Sequence, residues 1–310
     1  MDNILSLLPF FDVGVIAAVI ARFTGINLSM MVLMALLYIG GTPLETVMTM
    51  LVFNAFTYFT VYTQRHILGI KDLTFFPGVK MLIPVIITLA LATFNPFLGI
   101  MLFIAFFLAE TFAKMYHTMD LKSRPSRNEI IKMSIISAVL MVLGVALIRW
   151  FPADYYYILA GVLILCFAFL MLLAGDRRRF TGIWDGILYI SAFVTGISGI
   201  IADDWFFSMR RQTESALAKA YPIVMYSSMI VALIAGYAMY QYFSVGSLFV
   251  TVGAALTIRF FGVYNYGLHG KFSYLALGAT VLAVLVFWLI QPVPTGLPEV
   301  SGAAGTVFDW

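Results

Sequence analysis

Charge and cysteine are scarce in this chain. Of its 310 residues only 11% are charged, and a single cysteine, Cys166, is present. A soluble globular domain is about a quarter charged, so a soluble enzyme and a disordered chain are both excluded. One cysteine cannot form an intrachain bridge, which excludes a secreted disulfide scaffold. The net charge of +3 is too small to indicate nucleic-acid binding.

Metal-ligating side chains and phosphate-binding loops are equally sparse. The three histidines, His66, His117 and His269, fall in different connections and lack the histidine–carboxylate spacing of a metal site. We therefore expect no metal. The G-x-x-x-x-G-K loop of ATP-binding proteins is also missing from the sequence, so we expect neither ATP-driven transport within this chain nor a cofactor.

Apolar sequence is what the chain has in abundance. Hydrophobic residues make up 62% of it and the mean hydropathy is +0.99, which is material for about nine or ten spans of roughly 20 residues each. Long runs such as Met101–Ala113 and Leu275–Ile290 favour helices over the alternating strands of a barrel. The sequence predicts an all-α polytopic membrane protein of about ten transmembrane helical segments. The predicted segments are Leu5–Arg22, Leu28–Ile39, Leu44–Tyr62, Val79–Thr93, Phe97–Ala113, Ile131–Trp150, Tyr155–Ala174, Ile183–Ala202, Ala216–Phe243, Leu248–Phe261 and Phe272–Ile290.

Two stretches differ from ordinary membrane spans. Leu28–Ile39 is too short and Ala202–Ser215 is too polar, so both are predicted to be broken or re-entrant pieces. The hydrophilic connections are short, and we expect a single transmembrane domain. Its predicted parts are a first half (1–115), a cytoplasmic loop with connecting helices (116–182), a second half (183–290) and an irregular tail (291–310).

Lysine and arginine orient the predicted bundle. The connections near Lys71, Ser123 and Arg178 are basic and fall on one face by the parity of the spans, which we assign to the cytoplasm. The connection around Asp154 is aromatic and has no lysine, so we place it outside. We therefore expect a multi-pass protein of a cell membrane, bacterial or archaeal.

The two ends of the chain resemble each other. Phe11–Asp12 leads to a Thr-Gly-Ile at Thr24–Ile26, and Trp184–Asp185 leads to another at Thr195–Ile197. By parity the copies have opposite orientations, as in inverted repeats whose broken helices meet near the membrane midplane. We expect the breaks near the two tripeptides to face each other across a central cavity. The alternative is that apolar helices share these residue types by composition alone.

These landmarks resemble a known transporter family. Small residues at a helix break and a helix that opens with T-P-x-x-x at Thr42 are similar to the sulfite exporter TauE/SafE family, also called toluene sulfonate uptake permeases. The likeness covers Phe11–Ala92 and Trp184–Gly262. It implies a two-half organisation and the export or import of small sulfur-containing or organic anions. The best single match is Tyr62–Pro84, with Arg65, His66, Gly69 and Asp72 at the expected places.

Small and uncharged polar residues at the two breaks are the first candidates for substrate binding. Backbone amides at the start of a half-helix attract anions, and hydroxyls add further donors. The alternative is that these side chains bond back to their own helix or serve helix packing. The candidates are Thr24, Gly25, Asn27, Thr195, Gly196 and Ser198.

A charged cluster after the second break supplies the other candidates. The forked guanidinium of Arg210 or Arg211 is suited to a sulfonate or carboxylate. Asp203 or Asp204 is suited to carry a coupled proton. The alternative is a solvated loop whose charges pair among themselves.

The hypothesis that follows is a secondary transporter of sulfite, sulfonates or other organosulfur or carboxylate anions, without catalytic residues. Its partners would be the small anion and the lipid bilayer, and a homodimer is compatible with it. Two alternatives stay open. Gly196–Gly199 spells the G-x-S-G motif of rhomboid-type intramembrane proteases, with Ser198 and His269 as a candidate dyad. The other is a structural membrane subunit, against which the two interrupted polar segments argue.

Overall fold

The part of the chain that the structure describes is all-helical. The computed structural model describes residues 8–24, 26–63, 82–94, 126–174, 181–201, 216–261 and 271–290, with single positions at 99, 102 and 106. Within these ranges there are ten α-helices, one 3₁₀ helix at Ile148–Trp150 and no strand. The α-helices are α1 (Leu8–Thr24), α2 (Leu28–Tyr38), α3 (Pro43–Thr63), α4 (Leu82–Phe94), α5 (Arg127–Leu147), α6 (Ala153–Ala174), α7 (Thr181–Ser198), α8 (Ala216–Tyr240), α9 (Val245–Phe261) and α10 (Lys271–Ile290).

The helical prediction is confirmed for the described residues, where helices coincide with the predicted apolar runs. The predicted ends differ from the observed ones by up to about four residues. The run placed to Ala202, for example, stops being helical at Ser198, because the backbone turns at Gly199. The short run after Asn27 is confirmed as a separate helix of 11 residues, α2. Several predictions fall outside the described residues, namely most of Phe97–Ala113, Ala202–Ser215, the tail and the basic connections at Lys71, Ser123 and Arg178.

A tight turn joins α2 to α3, and its sequence accounts for it. Gly40 has φ +89°, and the Gly41 amide donates to Leu36 O at 3.1 Å, which closes α2 with the hydrogen bond of a Schellman motif. Thr42 and Glu45 then form a reciprocal cap. The Thr42 amide donates to Glu45 Oε2 at 3.0 Å, and the Glu45 amide donates to Thr42 Oγ1 at 3.4 Å. Helix α3 therefore begins immediately after α2 ends.

The helices pack in a regular set of pairs. Helix α1 packs against α9, and α7 packs against α5. Helix α9 also contacts α3, and α5 also contacts α8. Further pairs are α3 with α8, α6 with α10, α1 with α2 and α7 with α8. One large cluster of buried apolar side chains runs through most of these helices and forms the core of the described residues. A small second cluster lies where the starts of α5 and α8 meet, and its members are Ile130, Ala220, Ile223 and Val224.

Glycines permit the two closest helix pairs. A Cβ added at Gly14 of α1 would overlap backbone atoms of α9, and one added at Gly253 of α9 would overlap backbone atoms of α1. The same reciprocal relation holds for Gly144 of α5 and Gly196 of α7. Small residues that let backbones approach in this way are typical of helix packing in membranes.

Helix α5 carries an exposed apolar stripe on the side away from the core. Exposed apolar side chains recur every fourth residue, which places them in a stripe that winds slowly around the helix over about 24 Å. Within the described residues, two helical stretches are long and apolar enough to cross a membrane by length and composition, Arg127–Trp150 and Ala220–Tyr240. Each residue of the stripe is at least 41% exposed: Ile131, Ile135, Val139, Leu143 and Leu147.

Candidate functional site at the two helix breaks

The first helix break lies between α1 and α2 and is closed by its own side chains. Asn27 precedes α2, and its Oδ1 accepts hydrogen bonds from the Ser29 amide at 2.9 Å and the Met30 amide at 3.3 Å. This cap satisfies backbone donors that the first turn of a helix leaves free. The Ser29 hydroxyl also donates to Asn27 Oδ1. Both side chains are buried, so this polar pair belongs to the interior of the bundle.

The second break follows α7, and its backbone turns at a glycine. Gly199 has φ +73°, in the left-handed region that side chains disfavour. Its amide donates to Thr195 O at 2.7 Å. The Thr195 hydroxyl donates to Ile200 O at 2.7 Å, and the Ser198 hydroxyl donates to Val194 O at 2.8 Å. These bonds hold the residues after α7 against its last turn.

The two breaks meet in the interior, at a contact that we call the junction. The Asn27 Nδ2 donates to Ile201 O at 3.0 Å, and the Ile201 amide donates to Ser29 Oγ at 3.0 Å. From α3, Asn54 Nδ2 donates to Gly199 O. Three side chains of the first part of the chain therefore satisfy backbone groups of the second break. The repeat predicts a cavity between the breaks, but at Asn27 and Ile201 the contact is a direct hydrogen bond.

The remaining candidates from the sequence fall at different places. Thr24 is the last residue of α1. Gly196 lies in the last turn of α7, where an added Cβ would overlap Met141 O of α5, so the absence of a side chain there serves helix packing. The candidates that lie outside the described residues are Gly25, Asp203, Asp204, Arg210 and Arg211.

The hydroxyls of the second break are already bonded. Thr195 Oγ1 lies 2.8 Å from Ser191 O as well as near Ile200 O, and Ser198 bonds to Val194 O. The back-bonding that the sequence left open is confirmed for these two residues. Both side chains are fully buried, so a ligand would have to displace a carbonyl to receive either proton. The candidate base His269 lies outside the described residues.

Sequence reasoning missed two residues of the junction, Ser29 and Asn54. Asn54 is an amide in the middle of the apolar helix α3, and a polar side chain in such a run is itself a signal of a buried partner. Ser29 follows the cap at Asn27 and has no comparable signal, because serine is common in the first turn of any helix. Its role depends on Ile201, 172 residues away.

The chemistry available at the junction is that of neutral donors and acceptors. Asn27, Ser29 and Asn54 are uncharged, and the groups they bind are backbone amides and carbonyls. Among the described residues no group of three His, Cys, Asp or Glu side chains is placed to hold a metal ion. Comparison with protein-family models, with curated proteins and with solved structures finds no match for this chain.

Proposed function

We propose that this chain is a polytopic membrane protein that moves small anions by secondary transport. The junction carries the proposal, because it joins two helix breaks across 174 residues of sequence inside an apolar bundle. In membranes, irregular backbone is tolerated where protein surrounds it or where it lines a cavity. Transporters place substrate sites at such paired breaks.

The surface of α5 supports a membrane location. Its stripe of exposed isoleucine, valine and leucine would be costly in water and suits lipid. At the end of this helix Trp150 is 80% exposed, and Tyr155 at the start of α6 is 67% exposed. Exposed aromatic side chains at one end of apolar helices are typical of the membrane interface. This supports placing the connection around Asp154 at a membrane surface. In this proposal that surface is the outer one of a bacterial or archaeal plasma membrane, because the connection has no lysine.

The packing pairs support two related halves. If α1 is exchanged with α7, α3 with α8 and α5 with α9, the pair α1–α9 becomes α7–α5 and the pair α3–α9 becomes α8–α5. If α6 is also exchanged with α10, the pairs α3–α8 and α6–α10 map onto themselves. The smaller contacts of α7 with α3 and α8 have no counterpart of similar size among the contacts of α1 in the described residues, so the agreement is that of the large pairs. Such agreement is expected of a repeat. In this proposal α5 and α6 belong to the first half, which then extends beyond residue 115.

The proposed substrates are sulfite, sulfonates and related organosulfur or carboxylate anions. The resemblance to the TauE/SafE family supports this class, together with the arginines Arg210 and Arg211 that follow the second break in the sequence. An anion that leaves water needs donors or positive charge to replace its hydration. The membrane potential or a proton carried by Asp203 or Asp204 would drive the movement, without a cofactor.

Flux into liposomes tests the proposal. The purified full chain is reconstituted and assayed with sulfite, methanesulfonate and acetate, under an imposed membrane potential and under a pH gradient. We expect saturable uptake of at least one sulfur oxyanion, absent from protein-free liposomes and competed by the unlabelled anion. Uptake of none of these anions above the protein-free level, under either gradient, would contradict the proposal.

A second measurement separates transport from proteolysis. A serine-reactive fluorophosphonate is applied to the wild type and to Ser198→Ala. We expect no labelling that depends on Ser198, because its hydroxyl is buried and donates to Val194 O at 2.8 Å. Labelling lost in Ser198→Ala would favour the intramembrane protease instead.

A further inference from the structure

Two buried threonines of α3 have hydroxyls that bind nothing within the described residues. Thr46 and Thr49 are 0% and 1% exposed, and neither Oγ1 has a hydrogen-bond partner there. Buried polar groups are nearly always paired, so a buried hydroxyl without a partner points to a ligand or a water. Two such hydroxyls one turn apart on the same helix define a site with two donors.

Five other buried threonines among the described residues behave differently. The hydroxyl of each lies within hydrogen-bonding distance of the carbonyl four residues earlier in its own helix, the usual arrangement for threonine in apolar helices. Their protons are therefore engaged, whereas those of Thr46 and Thr49 are available. The threonines bonded in this way, with distances of 2.7–2.9 Å, are Thr57, Thr195, Thr251, Thr257 and Thr280.

Thr46 lies on the face of α3 that meets the junction, and Thr49 lies beside Thr46. Met50 and Asn54 belong to this face: a Cβ at Gly199 would overlap Met50, and Asn54 donates to Gly199 O. Thr46 lies one turn before Met50, and residues four apart share a helix face. Thr49 lies three residues after Thr46 and is its neighbour on the helix surface. The pair of hydroxyls therefore lies near the start of α3, one turn or less before Met50.

We propose that Thr46 and Thr49 bind the oxyanion that the protein transports. The inference rests on the proposed function and assigns its substrate to a particular pair of donors. Side chains three apart on a helix have Cβ atoms about 5–6 Å apart, so two oxygens of one sulfite or sulfonate group can each accept a hydrogen bond from one of the hydroxyls. Glu45, the carboxylate of this helix, is turned towards the Thr42 amide at the helix start.

Substitution by valine removes each hydroxyl and keeps the branched shape. The full chain is purified as wild type, as Thr46→Val/Thr49→Val and as the matched control Thr57→Val. Binding of sulfite and methanesulfonate is measured by calorimetry in detergent. We expect Kd to rise at least tenfold in the double variant and to stay within twofold in Thr57→Val, whose hydroxyl is bonded to Phe53 O. Thr46→Ser/Thr49→Ser should restore most of the affinity.

The thermal unfolding midpoint, Tm, shows whether a loss of binding comes from a loss of folding. Because neither hydroxyl forms a bond within the described residues, we expect Tm of the double valine variant to equal or exceed that of the wild type. An unchanged Kd in that variant, an equal rise in Thr57→Val, or a wild type that binds neither anion would overturn the assignment.

The two proposals fail in different ways. Flux of an anion with normal affinity in the double valine variant would refute the threonine site and leave transport standing. Binding that depends on Thr46 and Thr49, without flux under any gradient, would establish the site and refute transport.

Discussion

The two helix breaks are closed by different means. The first is largely self-sufficient, because Asn27 caps the helix that follows it. The second has a glycine in the left-handed conformation, and its backbone groups form hydrogen bonds with side chains of other segments. Asn27 and Ser29 bond to the backbone of Ile201, and Asn54 bonds to the carbonyl of Gly199. The stability of a break whose carbonyls receive hydrogen bonds from another part of the chain depends on that part. The first break therefore supports the second.

The largest effect is expected from Asn27→Ala, which removes both functions of the asparagine. It loses an N-cap and leaves a buried carbonyl at Ile201 without its donor, for a total cost of about 3 kcal/mol. Thermal or denaturant unfolding of the purified protein measures it. Asn128→Ala, at an exposed asparagine of α5, is the matched control and should change stability by less than about 0.5 kcal/mol.

Asn27→Asp divides the two functions of Asn27. The carboxylate keeps the acceptor for the Ser29 and Met30 amides but cannot donate to Ile201 O. If Asn27→Asp were as stable as the wild type, the bond between the breaks would contribute nothing and the comparison would fail.

Gly199→Ala tests the turn of the second break itself. A Cβ there meets a left-handed backbone, at about 1–2 kcal/mol, and overlaps Met50, so we expect a loss of about 2–3 kcal/mol in all. Gly186→Ala, in the helix α7 that precedes this turn, is the control, because nothing lies within 4 Å of an added Cβ at that position. It should be neutral or slightly stabilising in the same unfolding measurement. Equal effects of the two substitutions on the free energy of unfolding would show that the turn does not require glycine at position 199.

Asn54→Leu removes the hydrogen bond from Asn54 to Gly199 O and leaves the first break intact. The Gly199 carbonyl then lacks its donor from α3, at a cost of about 1–2 kcal/mol. Thr57→Val, one turn further along α3, removes a bond within that helix and should cost less. Combined with Asn27→Ala, the effect should be non-additive, because both substitutions act on the second break. If the losses in free energy of unfolding from the two substitutions were strictly additive, Asn27 and Asn54 would stabilise the second break independently of each other.

The smallest effect is expected from the charges that follow the second break in the sequence. Arg210→Gln or Arg211→Gln should weaken anion transport about tenfold, or about 1.4 kcal/mol, without loss of folding. Lysine should rescue only in part, since an ammonium lacks the planar fork. Arg127→Gln, at an exposed residue at the start of α5, is the control in the flux assay. Normal transport in both arginine variants would leave only neutral donors to bind the anion.

The sequence predicted the helices well because long apolar runs have few alternatives to a helix. It placed the end of α7 at Ala202 because Gly199–Ala202 is itself apolar, and hydropathy does not register a left-handed φ. It selected Asn27, which is polar and follows a Thr-Gly-Ile. It did not find Asn54 or Ser29, whose partners are at least 145 residues away, since such pairing exists only in the folded chain.

The glycine pairs have a mechanical consequence. Helices whose backbones touch, as α1 and α9 do at Gly14 and Gly253, cannot slide past each other without a collision of main chains. The interface of α3 and α8 is built differently: the flexible side chain of Met48 lies against Gly236. Methionine adapts its shape at little cost. If one half of the molecule moves against the other, α1–α9 and α5–α7 would therefore each move as a rigid pair. The change in packing would take place at the α3–α8 interface.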